Sequence, residues 1–256
     1  MSGSSVDTKR PIAAFYLPAA VLLFWFAVSA AHLVNPYLLP SPQTTFERLA
    51  KMLFSWAFLQ DIRASLGRWA GGYAAGCIAG IPVGLWIGTS PMLYRACFPS
   101  IDFLRSLPVT ALFPLFLLLF GIGEASKIAM AFTAVVFVVI LNSAAGAAQA
   151  SRVRLRAAAA FGATPWQRFR HIVFWEALPQ TLVGMRTALS LALIVVIVSE
   201  MFIGTQLGLG QRIYNAYAFN LTSDLYAVVL VTGFLGFATN KFFLWLEKRL
   251  VFWTGQ

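Results

Sequence analysis

Charged side chains are scarce in this sequence of 256 residues and make up only 11% of it. Soluble domains carry about a quarter charged residues, so the scarcity excludes an ordinary soluble domain. Hydrophobic residues account for 59% of the chain, and the mean hydropathy is +0.76. Both values indicate an integral membrane protein, and membrane lipid is the first partner that we expect.

Acidic residues are scarcer still, with nine Asp and Glu against 19 Lys and Arg and a net charge of +10. Such an excess can attract the phosphates of nucleic acid. Many of the basic residues, however, fall in short segments between apolar runs, where they would lie near lipid headgroups. We therefore expect no nucleic-acid partner.

Groups that carry catalysis are also few. The two histidines, His32 and His171, lie far apart, and the two cysteines, Cys77 and Cys97, fall in or beside apolar segments. The sequence has no metal-ligand spacing, no G-x-S-x-G motif and no Gly-Lys pair from which a phosphate loop could be built. The segment Leu207–Gln211, "LGLGQ", resembles the signature peptide of transport ATPases, but without a phosphate loop it is interpreted as a turn. We predict no catalytic residue, no metal, no cofactor bound by this chain and no enzymatic activity.

Long apolar runs are what the sequence does have. About 20 apolar residues cross a bilayer as a helix, and six charge-poor segments approach or exceed that length. We predict an all-α integral membrane fold with six transmembrane helices, residues 1–10 as an N-terminal tail and residues 11–256 as one transmembrane domain. The six segments are one span within Pro11–Phe46, then Trp69–Tyr94, Ala96–Phe120, Ile128–Ser151, Leu178–Gly204 and Leu225–Trp245.

The first segment has an alternative interpretation as a cleaved signal peptide, because the small residues of Ala27–Leu33 resemble a cleavage site. Its apolar run is longer than a typical signal-peptide core, so we expect it to be retained. Lys and Arg concentrate on the side that holds the N-terminus, above all in residues 151–176. The positive-inside rule then predicts a cytoplasmic loop at 151–176 and two cytoplasmic termini.

The second segment repeats glycine at every fourth residue. Such a stripe occupies one face of a helix and lets a neighbouring backbone approach closely. Close packing is the favoured interpretation, and a pore lining is the alternative. The five glycines are Gly72, Gly76, Gly80, Gly84 and Gly88.

Ionisable residues within membrane spans indicate functional sites, and three of those in the predicted spans are candidates. Arg186, near the start of the fifth span, is instead expected to reach toward the inner membrane surface. Asp102 and Arg105 are spaced i, i+3 on the third segment, so they can pair on one helix face. Glu200 lies near the outer end of the fifth segment. We assign all three to a translocation path, with Arg105 favouring an anionic substrate. The alternatives are a structural ion pair for Asp102 and Arg105, and a position at the water interface for Glu200.

The predicted loop, residues 151–176, reads as two short helices joined by a tight turn. Ala157–Phe161 favours helix, Gly162 can end it, and Thr164 with Pro165 resembles the cap and first residue of a second helix. Pro179 is expected to open the fifth span. The basic and aromatic content suits anionic headgroups, whereas the small residues at the turn would let a cytoplasmic partner approach closely.

At this loop the sequence resembles the permease subunits of ATP-binding-cassette importers. Their motif has Glu-Ala-Ala, then Gly, Ile and Leu-Pro at fixed spacing. In this chain Arg156 replaces the glutamate, and residues 174–175 stand where Leu-Pro would be. The residues that match in spacing are Ala157, Ala158, Gly162 and Ile172.

Two further segments, Leu38–Pro42 and Leu104–Ile128, are similar to the nitrate/sulfonate/taurine/bicarbonate branch of that family. The resemblance implies a type I importer permease of the bacterial cytoplasmic membrane, working as a homodimer with two cytoplasmic ATPase subunits and an extracytoplasmic substrate-binding protein. ATP and Mg would be bound by the ATPase, and the solute would be small and anionic. An ATP-independent secondary transporter or channel is the alternative.

The resemblance also implies a coupling helix between spans four and five, inserted in a groove of the ATPase. The residues that it assigns to this contact are Ala157, Ala158, Gly162, Ala163 and Thr164.

Overall fold

The computed structural model describes residues 13–251, with side chains from residue 16, and this part of the chain is a helical bundle. The predicted tail, residues 1–10, lies outside the described residues, and so do both termini. The helices are α1 (Ala13–Ala30), α2 (Pro42–Leu53), α3 (Trp56–Thr89), α4 (Pro91–Ser106), α5 (Phe113–Phe120), α6 (Glu124–Ala148), α7 (Arg152–Ala160), α8 (Pro165–Arg168), α9 (Phe174–Phe202), α10 (Leu209–Ala218) and α11 (Thr222–Leu250).

The predicted all-α membrane fold is confirmed. Among the described residues, four helical stretches are long and apolar enough to cross a membrane: α3, α6, α8–α9 and α11. The pair α4 and α5 adds a fifth if it is counted as one bent span. The first predicted span corresponds to α1, whose described apolar stretch, Tyr16–Ala30, is shorter.

The predicted third span breaks in its middle. α4 ends at Ser106, and the chain bends by 76° before a short 3-10 turn, Val109–Leu112, leads into α5. The break follows from Pro108, which has no backbone N–H and disfavours helix at Leu107, where ψ is 131°. Broken helices are tolerated at membrane depth where they line protein or a cavity.

Two predicted span boundaries are wrong. α3 begins at Trp56 rather than Trp69, because the charged residues 61, 63 and 68 are accommodated inside the helix. Pro179 does not open the fifth span, since α8, a π-helical turn at Phe169–Val173 and α9 form one continuous helix of 38 residues, 165–202. Proline is tolerated in a membrane helix where neighbouring helices satisfy the freed backbone groups, and here Ala177 packs closely against Gly146 of α6.

The glycine stripe is the seam between α3 and α6, as close packing predicts. A Cβ atom on Gly76 would lie 2.6 Å from the Val135 side chain, and one on Gly80 would lie 3.0 Å from Val139. Without side chains on this face, the two backbones approach closely over about five turns. α6 then packs along α9, so α3, α6 and α9 form the centre of the bundle.

The remaining helices surround this centre. The Arg48 Nη2 atom of α2 donates to Asp224 of α11 over 2.7 Å, and this hydrogen bond raises the pKa of the Arg48 guanidinium above its usual value. Trp25 of α1 donates to the carbonyl of Pro40 and stacks on Tyr226. Most other α1 side chains are exposed, which leaves this helix free for lipid or another subunit.

Candidate functional site

The segment between α6 and α9 forms a helical hairpin, residues 151–168, whose turn follows sequence signals. α7 ends in a Schellman motif: the Gly162 and Ala163 amides donate to the carbonyls of Ala159 and Ala158, both over 3.0 Å. Gly162 has φ = +79°, a conformation that glycine adopts without strain. The predicted helix stop at Gly162 is therefore confirmed.

The second helix of the hairpin starts with a capping box. The Thr164 hydroxyl accepts from the Gln167 amide over 3.2 Å, and the Gln167 side chain accepts from the Thr164 amide over 2.7 Å. Pro165 occupies the first turn, where its missing N–H costs nothing. The predicted cap and helix start are confirmed, and together with Gly162 they fix a rigid tip.

The tip presents small side chains around one large apolar one. Ala157, Gly162 and Thr164 are exposed and Ala158 and Ala163 are half-buried. Phe161 is 91% exposed, so its side chain is available to a binding partner. A Cβ atom on Gly162 would meet nothing within 4 Å, so a partner can approach the turn closely.

The base of the hairpin packs into the bundle. Leu155 of α7 and Phe169 lie against a buried apolar cluster whose members are Leu85, Ala147, Ala150, Val173 and Ala177. Trp166 is 65% exposed and stacks on Phe169. Phe169 and Val173 thereby anchor the aromatic half of the loop to the bundle.

The predicted Asp102–Arg105 pair is present. Arg105 Nη2 lies 2.7 Å from Asp102 Oδ1, and both side chains stay partly exposed at 48% and 42%. They occupy the last two turns of α4, directly before the break at Leu107. The pair is accessible, and Arg105 retains donors that the contact with Asp102 does not use.

Glu200 is not exposed to solvent, because its side chain is 0% exposed. It accepts from Arg68 Nη1 over 2.6 Å, from the Ser65 hydroxyl over 2.8 Å and from the Gly210 amide over 2.9 Å. Within the described residues no hydrogen bond or ion pair joins Glu200 to Asp102 or Arg105. The three residues assigned to one path therefore belong to two separate polar groups.

Arg68 is the centre of the buried group. Its side chain is 5% exposed, pairs with Glu200 on one side and holds Glu124 through two bonds of 2.6 and 2.7 Å on the other. Further bonds to the Leu207 carbonyl and the Thr205 hydroxyl occupy all five guanidinium donors. Arg68 thereby joins α3, α6, α9 and the segment before α10.

Two more α3 residues bind the start of α10. Asp61 accepts from the Gly208 amide and from Arg212, and the Ser65 hydroxyl accepts from the Leu209 amide. Carboxylates at a helix N-terminus satisfy unpaired amides and interact favourably with the helix dipole. The "LGLGQ" segment, interpreted above as a turn, is the turn that begins α10, and its glycines make room for Glu200.

The sequence reasoning missed this buried group. Arg68 lies just before the predicted second span, Trp69–Tyr94, so the sequence places it in a loop. Its partners Glu124 and Glu200 are 56 and 132 residues away. The sequence does contain one signal for Arg68. It lies four residues before Gly72, so it continues the spacing of the glycine stripe and falls on the same helix face. Among the described residues, no three His, Cys, Asp or Glu side chains are close enough to hold a metal ion.

Comparison with known proteins agrees with this architecture. Residues 80–254 match the family described as "Binding-protein-dependent transport system inner membrane component". The chain is 32% identical over 243 residues to the taurine transport system permease protein TauC of Escherichia coli, covering 93% of this chain and 88% of the relative. It is 27% identical over 261 residues to the nitrate import permease protein NrtB of Synechocystis, covering 95% of this chain and 94% of that relative.

A solved structure shows the same fold. A chain of the MetNI methionine ABC transporter, in an inward-facing conformation, matches with a TM-score of 0.63 at 20% identity, covering 77% of this chain and 95% of that one.

Proposed function

The chain belongs to the family of binding-protein-dependent transport system inner membrane components, and we propose that it imports a small anionic solute as the permease of an ATP-driven transporter. It is a transport subunit and not an enzyme. The named relatives carry taurine and nitrate, which supports a sulfonate-like or nitrate-like anion. Arg105, partly exposed beside the break in the third span, is the residue that we assign to anion attraction along the path, with Asp102 setting its orientation.

The hairpin is the proposed contact with a cytoplasmic ATPase subunit. The observation that carries this assignment is a rigid, solvent-exposed tip in which Phe161 is 91% exposed and surrounded by small residues. A large apolar side chain among small neighbours can fill a partner's pocket while the backbones come close. We assign the contact to Ala157, Ala158, Gly162, Ala163 and Thr164, together with Phe161.

The continuous helix 165–202 supports a lever-like mechanism. Its 38 residues span about 57 Å at 1.5 Å per residue. The hairpin lies at one end, and at the other Glu200 is bound to α3 and α10. Closure of the ATPase pair on ATP binding would move the hairpin, and α9 would carry that movement to the far end as a rigid body.

The assembly that we propose is a homodimer with two ATPase subunits that bind ATP and Mg, and with a binding protein on the opposite face. We place the protein in the bacterial cytoplasmic membrane, with the hairpin and both termini on the cytoplasmic side, because the hairpin carries many of the Lys and Arg residues. Exposed apolar side chains on α1, α5 and α11 are available to lipid and to the second permease.

A substitution at the turn tests the docking assignment. Gly162→Asp puts a charged side chain at a positive φ angle on the exposed tip, so we expect loss of uptake and of solute-stimulated ATPase activity, with the protein still in the membrane. Gly204→Asp is the matched control, because Gly204 follows the C-cap residue of α9 as Gly162 follows that of α7, and it has a positive φ of 63° and open space around it. Normal uptake in Gly162→Asp would remove the hairpin from coupling.

The secondary transporter or channel is the competing class. It requires no ATPase, so uptake that continues after deletion of the nucleotide-binding subunit would favour it over the ATP-driven importer.

A further inference from the structure

One carboxylate closes the base of the hairpin. Glu176, in the first turn of α9, accepts from the Ser151 amide over 2.6 Å, and its Oε1 atom lies 3.0 Å from Arg154 Nε. Ser151 is the N-cap residue of α7, so Glu176 joins the start of the hairpin to the helix that leaves it. The side chain is only 17% exposed, which limits competition from water.

The electrostatics of α7 show why this contact matters. The helix places arginine at residues 152, 154 and 156 and has no acidic residue in its first turn. Positive charge at a helix N-terminus opposes the helix dipole, and like charges at i, i+4 repel. Glu176 is the only Asp or Glu within residues 151–176, so it supplies from α9 the negative charge that α7 lacks.

The junction behind α7 would be weak without that carboxylate. α6 ends at Ala148 and α7 begins at Arg152, so three residues connect them. The apolar contact of Leu155 with the buried cluster at the base of the hairpin is non-directional, whereas hydrogen bonds have a preferred geometry. The hydrogen bond from the Ser151 amide to Glu176, together with the ion pair to Arg154, therefore sets the direction of α7 relative to α9.

We propose that Glu176 is a positioning residue that clamps α7 to the first turn of α9, so that force on the hairpin tip moves α9 instead of bending the junction at residues 149–151. Its consequence for transport rests on the proposed function of the hairpin. The clamp itself is a property of this chain and can be measured without any partner.

Hydrogen exchange on the purified full-length permease in detergent tests the clamp, with fragmentation that resolves the Ser151 amide. We expect Glu176→Ala to speed exchange at Ser151 about tenfold or more, because a hydrogen bond to a charged group is lost. Glu176→Gln keeps an acceptor oxygen and should retain part of the protection. Arg152→Gln is the control, since Arg152 is exposed and makes no ion pair within residues 16–251. Unchanged exchange in Glu176→Ala would overturn the clamp.

A second measurement separates positioning from simple stability. A fluorophore at Tyr214→Cys, on α10 at the far end of the bundle, reports ATP-driven movement in complexes with the ATPase subunit, in a Cys97→Ser background. In complexes with Glu176→Ala or Arg154→Gln permease, we expect the ATPase subunits to bind and hydrolyse ATP while the fluorescence response falls about twofold or more. Complexes with Arg152→Gln should keep the full response.

A full response in both Glu176→Ala and Arg154→Gln would refute the transmission role. If the wild-type permease recruits no ATPase, the proposed function fails and the transmission role with it, while hydrogen exchange still decides the clamp. If Glu176→Ala yields no monodisperse protein, Glu176→Gln and Arg154→Gln carry both measurements.

Discussion

The ion pair between Arg68 and Glu200 offers a pairwise energy that can be measured. The two side chains are 5% and 0% exposed and lie 2.6 Å apart. Removing one member of such a buried pair leaves the other uncompensated and typically costs about 3–5 kcal/mol. We expect Arg68→Met to lower the free energy of unfolding by about that amount, because Glu200 would keep only Ser65 and Gly210 as donors.

The double variant is the informative one. Glu200→Met alone should cost less, at about 3 kcal/mol, because Arg68 keeps both bonds to Glu124. In Arg68→Met with Glu200→Met, the second change deletes a carboxylate that has already lost its ion-pair partner. The cost of the double variant should therefore fall below the sum of the two single costs by about 2 kcal/mol, within the range found for residues in contact.

Reversible unfolding in mixed detergent micelles, followed by tryptophan fluorescence, gives the four free energies of this cycle. The matched control is the same cycle on Asp102 and Arg105, an ion pair that is 42% and 48% exposed, where we expect a coupling below about 1 kcal/mol. A coupling energy between Arg68 and Glu200 no larger than that of the exposed pair would show that the buried network is not a structural unit.

Two further predictions concern the bundle seam and the path. Gly76→Leu should destabilise the protein by about 1–3 kcal/mol, because a Cβ atom at residue 76 would lie 2.6 Å from Val135. Gly71→Leu is the control, because a Cβ atom at residue 71 would meet no atom within 4 Å. Equal losses of unfolding free energy for the two variants in the same assay would contradict the packing argument. Arg105→Ala should lower the initial rate of solute uptake by about tenfold or more with little loss of protein from the membrane; uptake kinetics equal to wild type, at equal protein on an immunoblot, would remove Arg105 from the path.

Local signals predicted the turn of the hairpin and its caps correctly, although the second helix is not short but continues to residue 202. Gly162, Thr164 and Pro165 act through their own backbone conformation and hydrogen bonds within a few residues, so a single sequence contains the necessary information. The packing face of α3 could be predicted in the same way, because the spacing of the glycine stripe alone places five small residues on one helix face.

Features that depend on residues far away in the sequence were predicted wrongly or not at all. Pro179 favours a helix start on its own, but it lies inside the continuous helix 165–202, which packs closely against α6 at Ala177. The pairing of Arg68 with Glu200 bridges 132 residues, and nothing local in the sequence identifies the partner. Glu200 was noticed as an intramembrane charge, but its burial could only be seen once α3 and α10 were placed around it.

The docking of the hairpin on an ATPase subunit is the central claim, and site-specific photocrosslinking tests it most directly. A benzophenone amino acid at Phe161, which is 91% exposed at the tip, should capture a nucleotide-binding subunit in intact cells. The same group at Phe219, which is 73% exposed and follows α10 at the far end of the bundle, should not. Crosslinks from Phe161 to lipid or to a second permease alone, with uptake intact, would contradict the account.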